Sequence, residues 1–321
     1  MSAVRSRTIR FHEYGEPADV LRQEVTEIPD PPVGRVRIRV AAAGLNPADW
    51  ELCRGFMPGT LPRGIGADLA GTVDAIGDGV TDVAVGDLVF GSADFAGQPS
   101  AGAADVAILR SWFRVPADLD PVVAATLSMV VTTAVWTLDL MKVGPGQTLL
   151  VHGAGGMVGY AAVQVALRLG ARVIATAGPT FAADLEGFGA LVTPYGKGMA
   201  DRVRALAGGD IDLVLDVPRP SEGTLPELVA LAGGEPRRVM TISNHAEARR
   251  LGARVNVDEF MAAGALPDSN ILNDWAALAA AGEFRLPIAR TYSLGEWRDA
   301  VERSVSGSPR GKLVLLPQLD A

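Results

Sequence analysis

The chain has 321 residues, 48% of them hydrophobic, with a net charge of −8. That length holds one large domain or two. The charge argues against a bulk electrostatic grip on nucleic acid or an anionic membrane, no apolar run spans a bilayer, and the lone cysteine, Cys53, excludes an intramolecular disulfide framework. The first seven residues hold no apolar signal core, so a cytoplasmic location is expected.

The first third reads as β-rich. Val36-Arg37-Ile38-Arg39-Val40 alternates apolar and charged residues, as a half-buried strand does. Residues 71–77, 87–91 and 104–109 form further short runs, cut by glycines and prolines. Such close-set strands predict a barrel-like or sandwich module. Near Pro121 the texture changes, and a helix is expected over 122–140. Next come a strand at 148–152, a glycine turn, a helix and a second strand at 171–176. A helix at 199–207, a strand at 211–216, a helix at 222–232 and a strand at 238–242 continue the alternation. That order predicts a parallel, doubly wound sheet. The tail adds helices around 273–281 and 294–306 and a strand at 312–316 that can return to the first module.

The turn Val151-His152-Gly153-Ala154-Gly155-Gly156-Met157-Val158-Gly159 carries the strongest chemical signal. Strand, glycine turn, helix and strand fit one dinucleotide-binding βαβ unit. Backbone amides at the helix start face a pyrophosphate, and the helix dipole favours its charge. Gly156 lets the backbone approach the phosphates, and Gly159 lets the helix pack on the strand. Ala154 breaks the strict G-x-G-x-x-G pattern. An ordinary tight turn accounts for the glycines alone; the strand before and helix after favour a cofactor.

The chain resembles the zinc-free quinone oxidoreductases of the medium-chain dehydrogenase/reductase superfamily. The resemblance covers nearly all of it. It is carried by Ala43-Gly44-Leu45-Asn46-Pro47-Ala48-Asp49, Gly66-Ala67-Asp68-Leu69-Ala70-Gly71-Thr72-Val73, Val85-Gly86-Asp87-Leu88-Val89, Val143-Gly144-Pro145-Gly146-Gln147, the glycine turn and Arg310-Gly311-Lys312-Leu313-Val314-Leu315. The resemblance implies an α/β fold: a GroES-like β-rich catalytic domain plus a Rossmann domain with a doubly wound parallel sheet. The implied boundaries are 1–122 for the GroES-like domain, 123–262 for the Rossmann domain and 263–321 for a C-terminal return completing the catalytic domain. An alanine at position 154 is common in that family.

Zinc-dependent relatives carry a cysteine ligand where this chain has Asn46, and a Gly-His-Glu motif where it reads Gly66-Ala67-Asp68. His12, His152 and His245 are scattered, so no metal is expected. Without a Lewis acid the acceptor must already be electrophilic: a quinone, or an alkene conjugated to a carbonyl. Asn46 is the first catalytic candidate, its amide able to donate to a carbonyl oxygen or to the nicotinamide-ribose region; an Asn-Pro turn is the plainer reading. Thr133 is the second, matching a family threonine at the nicotinamide, although a helix hydroxyl bonding its own backbone explains it too. Asp49 and Glu51 read as solvated carboxylates, and His152 as structural. The family's tyrosine near Trp50 or Glu51 is missing, which makes water the default proton donor.

The resemblance implies cofactor contacts from Asn46, Thr133, Ala154, Gly155, Gly156, Met157, Val158, Gly159, Thr176, Gly178, Thr180, Tyr195, Val217, Ile242, Ser243 and Lys312. Phe56, Trp112, Phe260 and Met261 are candidates for an apolar substrate wall, though core packing also suits them. The second strand ends Ala175-Thr176-Ala177-Gly178-Pro179-Thr180 with no carboxylate for a ribose 2′-hydroxyl, which favours NADPH over NADH. Lys197 or Arg202 can supply charge there. The expected protein is a homodimeric NADPH-dependent reductase of a small quinone or enone. Two alternatives stand: an enoyl-thioester reductase of a biosynthetic pathway, which calls for a basic patch that the sequence does not clearly show, Arg5, Arg7, Arg249, Arg250 and Arg254 being its candidates, or a nucleotide-binding structural or regulatory protein without turnover.

Overall fold

The computed structural model describes residues 3–95, 97–264, 270–307 and 309–320. Its strands are, in chain order, Val4–Phe11 (β1), Leu21–Ile28 (β2), Val36–Leu45 (β3), Arg63–Gly64 (β4), Asp68–Ile76 (β5), Leu88–Ala93 (β6), Val106–Arg114 (β7), Thr148–His152 (β8), Arg172–Thr176 (β9), Leu191–Thr193 (β10), Leu213–Asp216 (β11), Val239–Thr241 (β12), Arg254–Val255 (β13), Ile288–Ser293 (β14) and Lys312–Leu316 (β15). The chain divides into two compact units, Met1–Met129 with Asn270–Ala321, and Val130–Ser269. The first boundary falls inside the helix Leu127–Met141.

In the first unit, six strands pair in the order β14-β15-β3-β5-β6-β7. β7 also pairs with β3, which closes β3, β5, β6 and β7 into a barrel. β2, β1 and β4 form a second, smaller sheet. The core holds Phe11, Leu21, Ile38, Trp50, Leu69 and Trp297, and each such burial contributes about 1.5–3 kcal/mol. The alternation in β3 is only half kept. Arg39 faces out, but Arg37 is buried and donates to Asp74 at 2.8 Å. The last strand does return to this module: β15 runs antiparallel to β3, with Leu313 opposite Leu45 and Val314 opposite Gly44.

The expected helix over 122–140 is two helices. Asp120 accepts from Val122 N and caps Pro121–Ala124; the chain then breaks and restarts as Leu127–Met141. The break packs hard on β3: a Cβ on Gly44 would lie 2.3 Å from Ala125 O. Glycine at position 44 is therefore a packing requirement.

In the second unit all six strands are parallel, in the order β10-β9-β8-β11-β12-β13. Counted from β8 this is 3-2-1-4-5-6, the doubly wound order that the alternation predicts. β8 is buried at all five positions, as befits a central strand covered on both faces. The order reverses between β8 and β11, and in open parallel sheets ligands bind beyond the carboxyl ends of the strands at that point. Among the described residues no helix is long and apolar enough to cross a membrane.

Candidate active site

The glycine turn leaves β8 at the reversal point and enters the helix Met157–Arg168. Its glycines have two separate causes. Gly153 has φ +78°, and a Cβ there would lie 2.3 Å from Pro218 Cγ. A Cβ on Gly159 would lie 2.7 Å from Gly153 O. The protein's own packing demands glycine at both positions. Gly155 and Gly156 are different: the nearest atoms to an added Cβ would be Phe181 Cδ2 at 3.9 Å and Gly153 O at 3.5 Å, which are ordinary contacts. Neither has a left-handed backbone, so the surrounding protein does not require glycine at either position. Gly156 is the N-cap and offers no side-chain acceptor, so the first amides of the helix are left for an anion. The turn thus fits a dinucleotide pyrophosphate.

Several of the other candidates gather around this turn. Ala154 is fully buried, and its N–H donates to Thr176 O at 2.9 Å. Met157 and Val158 open the helix, both half-buried. Val217 Cγ1 would lie 3.8 Å from a Cβ on Gly156, so Val217 borders the same space. Thr176 sits beneath the turn: its Oγ1 accepts from Gly153 N at 2.9 Å and meets His152 Nδ1 at 2.8 Å. Burial pushes the His152 imidazole down to about 4, so at neutral pH it is uncharged. At the ends of β11 and β12, Ile242 N donates to Asp216 O at 3.0 Å, and Ser243 Oγ donates to Pro218 O. Thr241 Oγ1 donates to the buried Asp216 at 2.8 Å, and burial pushes that carboxyl up to about 6.

Beyond β9, Gly178 caps the helix Pro179–Phe188, and Thr180 is exposed in its first turn. Tyr195, 62% exposed, has its hydroxyl 3.6 Å from where a Gly178 Cβ would stand. Arg202 donates to Thr193 Oγ1 at 3.0 Å, Lys197 O at 2.9 Å and Pro194 O at 2.8 Å. These are neutral acceptors, so among the described residues no carboxylate compensates its charge.

In the first unit, strand register assembles a buried polar cluster from distant residues. β15 pairs with β3 so that Lys312 falls level with Asn46, and Gly44 lies opposite Asp68 on β5. Lys312 Nζ donates to Asn46 Oδ1 at 2.7 Å and lies 3.7 Å from Asp68 Oδ2. Asn46 Nδ2 donates to Asp68 Oδ2 at 3.0 Å and to Gly44 O at 3.3 Å. Asp68 Oδ1 accepts from Met129 N, in the first turn of Leu127–Met141, at 3.0 Å. Both hydrogens of the Asn46 amide are therefore committed within the protein. Burial pushes the Asp68 carboxyl up and the Lys312 ammonium down, and their mutual attraction opposes both shifts.

Asp49 departs from the solvated carboxylate that the sequence suggests. It is fully buried, accepting Asn46 N at 2.8 Å, Gly66 N at 2.9 Å and Ala67 N at 3.2 Å. It clamps the start of the helix Pro47–Cys53 to the 66–67 loop. Burial raises it to about 6, against the pull of those three amides. The signal was present: Asn46 and Asp49 have the N-cap and N3 spacing of a capping box. Glu51, by contrast, is exposed and paired with Arg54 at 2.8 Å.

Thr133 is half-buried, and its hydroxyl has no hydrogen-bond partner among the described residues. Phe260 packs edge-on against Trp136 at 5.5 Å, and Met261 is 78% exposed. In the first unit, Phe56 is 43% exposed, while Trp112 donates to Asp82 at 2.9 Å. Neither touches the Asn46 network through a hydrogen bond.

Among the described residues no three His, Cys, Asp or Glu side chains come together to hold a metal ion. Ala67 offers no donor atom, and the Asn46 oxygen already accepts from an ammonium. The residues here do not fit a zinc ion.

Residues 32–115 match the alcohol dehydrogenase GroES-like domain family, and residues 188–315 the zinc-binding dehydrogenase family. The chain is 33% identical over 290 residues to erythronolide synthase EryA2 of Saccharopolyspora erythraea, across 88% of this chain and 8% of that protein. It is 33% identical over 177 residues to human quinone oxidoreductase, across 54% of this chain and 53% of that one. It thus spans about half the length, or far less, of these curated relatives. The solved quinone oxidoreductase of Pseudomonas syringae pv. tomato DC3000 superposes with a TM-score of 0.78 at 26% identity, covering 97% of this chain and 100% of that chain.

A GroES-like barrel followed by a doubly wound sheet with a bare glycine turn at its reversal point defines a medium-chain dehydrogenase/reductase, a class of oxidoreductases that binds a nicotinamide cofactor. Within that superfamily the chain is similar to quinone oxidoreductases.

Proposed function

We propose that this chain is a zinc-independent, NADPH-dependent reductase that delivers hydride to a quinone or to an alkene conjugated with a carbonyl. The observation that carries the reading is the pair Gly155 and Gly156, bare of side chains for no reason internal to the fold, at the sheet's reversal point. A bound nicotinamide supplies the hydride; the protein positions it and shields it from water. The glycine turn and the open amides after Gly156 hold the pyrophosphate. Thr176 and His152 fix the turn from below. Val217, Ile242 and Ser243 border the nicotinamide end, and Thr133 offers it a hydroxyl. NADPH is favoured over NADH by the uncompensated charge of Arg202, by exposed Lys197, and by the lack of a carboxylate after β9.

Phe56, Trp112, Phe260 and Met261 remain candidates for the acceptor's apolar wall. The family resemblance carries a homodimer and a cytoplasmic setting into this reading. The test is fluorescence titration with NADPH and NADH, followed by assays of cofactor oxidation across quinones and enones. NADPH should bind at least tenfold tighter than NADH. Tight binding without oxidation by any acceptor would mean a nucleotide-binding protein without turnover.

The match to erythronolide synthase EryA2 favours a second reading, an enoyl-thioester reductase. A phosphopantetheine or coenzyme A arm calls for free basic residues. Arg249 pairs with Asp258 at 2.7 Å, Arg254 with Glu259 at 2.6 Å, Arg250 with Glu247 at 3.3 Å and Arg7 with Asp105 at 2.8 Å. Among the described residues only exposed Arg5 of that set has no carboxylate partner, so the first reading is preferred. An enoyl-coenzyme A reduced faster than its pantetheine-free analogue would reverse that order.

A further inference from the structure

We infer that the first unit holds a site for an organic carboxylate, built around Arg63 and lying wholly within that unit. Three basic side chains are buried among the described residues: Arg37, Arg63 and Lys312. Two of them face carboxylates, Arg37 at 2.8 Å from Asp74 and Lys312 at 3.7 Å from Asp68. Arg63 is 4% exposed, and among the described residues no carboxylate pairs with it. A guanidinium cannot be deprotonated in a protein, so burial does not neutralise it. An uncompensated buried charge is costly, and an anion brought by a ligand relieves that cost.

The geometry of the guanidinium selects the anion. Nη1 donates to Met57 O at 2.8 Å, which ties down one end of the fork. Nε and Nη2 have no protein acceptor among the described residues. Neither is sealed in: the buried side-chain atoms that lack a partner are Thr8 Oγ1, Ser128 Oγ, Trp136 Nε1 and Trp297 Nε1. The edge left free and open to the surface is therefore Nε–H beside Nη2–H. That edge meets both oxygens of a carboxylate in two parallel hydrogen bonds.

The backbone holds this edge in place. Arg63 lies on β4 opposite Phe11 of β1, and a Cβ on the next residue, Gly64, would lie 2.5 Å from Ala101 N, so the strand has no room to shift. Met57, which supplies the carbonyl, has a left-handed backbone with φ +57°, a strained conformation for a residue with a side chain. Tyr14 Oη pins the same loop, accepting from Gly59 N at 2.8 Å and donating to Gly59 O at 3.0 Å. The centroid of the Phe95 ring lies 5.6 Å from Arg63 Cζ and 5.8 Å from Arg110 Cζ. The ring offsets part of the cost of the buried charge and gives a ligand an apolar neighbour. Exposed Arg110, also without a carboxylate partner among the described residues, adds a second positive charge to the approach. The loop that carries Met57 O exposes the apolar side chains of Phe56 and Met57. A carboxylate on an apolar body suits all of these groups.

The experiment titrates the full chain at low salt with benzoate, and with benzamide as its neutral counterpart, by calorimetry. Wild type, Arg63→Gln, Arg63→Lys and Arg110→Gln are compared, each beside a thermal melt. Wild type should bind benzoate at least about tenfold tighter than benzamide, the scale of one charge-assisted pair. Arg63→Gln should erase that preference, and Arg63→Lys should lose most of it, because an ammonium keeps the charge without the two-pronged edge. Arg110→Gln should weaken benzoate by about threefold or less, as for an exposed charge. Arg63→Gln strands no carboxylate, so it should melt at or above wild type, which keeps its titration readable. Equal affinity of wild type for benzoate and benzamide overturns the inference. So does unchanged benzoate affinity in Arg63→Gln or in Arg63→Lys. A melting temperature in Arg63→Gln more than about 5 °C below wild type would also overturn it, by showing that the fold itself relies on the charge. None of these readouts passes through NADPH binding or hydride transfer, so the site stands or falls apart from the reductase reading.

Discussion

The glycine turn and the Asn46–Asp68–Lys312 cluster are built in opposite ways. The turn is written in nine consecutive residues, and its geometry follows from which positions can carry a Cβ. The cluster joins residues 46, 68 and 312, which meet only because β15, β3 and β5 pair in one register. A local motif can be read from spacing alone. A register-built site needs the sheet first, and a slip of one residue would turn Lys312 to the other face. The turn offers backbone amides and open space; the cluster offers a buried charge in a fixed orientation. One leaves room for a ligand's phosphates; the other ties β3, β5 and β15 together through buried side chains.

The sharpest way to break this contrast is Gly156→Val. An added Cβ there meets no protein atom closer than 3.5 Å, so the fold should keep its melting temperature within a few degrees. Cofactor affinity should fall at least 100-fold, about 2.7 kcal/mol, because the new methyls fill the space left for the pyrophosphate. Fluorescence titration beside a thermal melt separates the two effects. Unchanged affinity would remove the pyrophosphate from this turn.

Gly159→Ala should do the reverse. Its Cβ would lie 2.7 Å from Gly153 O and 2.9 Å from Ala154 Cα, both backbone atoms that cannot swing aside. A loss of about 1–3 kcal/mol in denaturant unfolding is expected, as for other overpacked sites. Affinity among the molecules still folded should change less than in Gly156→Val. If the two variants behave alike, the division of the turn into fold glycines and ligand glycines is wrong.

The same division explains what the sequence could disclose. The βαβ unit was legible because β8 centres on the apolar run Leu149-Leu150-Val151 and the helix after the glycine turn is rich in small and apolar residues. The strands β1 and β2 were not, because Val4–Phe11 buries Ser6 and Thr8 while Leu21–Ile28 is mostly polar, so neither shows a clean hydrophobic run. The helix Pro179–Phe188 hid behind Gly178-Pro179, which reads as a breaker although proline suits the first helical turn. In the site, Gly156 and Gly159 were readable from spacing. Asp49 was misread because two of its amide partners come from Gly66 and Ala67, far along the chain. Lys312 entered only through family resemblance; its neighbours could not be known before the register of β15 was.

The smallest expected effect concerns the base of the turn and is read through pH. His152 is held neutral, its pKa pushed down by burial from 6.5 to about 4. Between those values the unfolded chain binds a proton that the folded one refuses, so this histidine's contribution is present above pH 6.5 and lost as pH falls toward 4. Asp49 and Asp216 act with the opposite sign: both are pushed up to about 6 from 3.8, so they favour the fold at low pH and lose that contribution as pH rises through 6. Wild-type stability between pH 7.5 and 5 is therefore a partial cancellation. His152→Gln keeps an acceptor for the Thr176 hydroxyl and removes only the titration. Relative to wild type, the variant should gain about 1–2 kcal/mol on going from pH 7.5 to pH 5 in denaturant unfolding. A constant difference at the two pH values would show that His152 is free to protonate in the folded chain, and that the underside of the turn is less sealed than the cluster around Lys312.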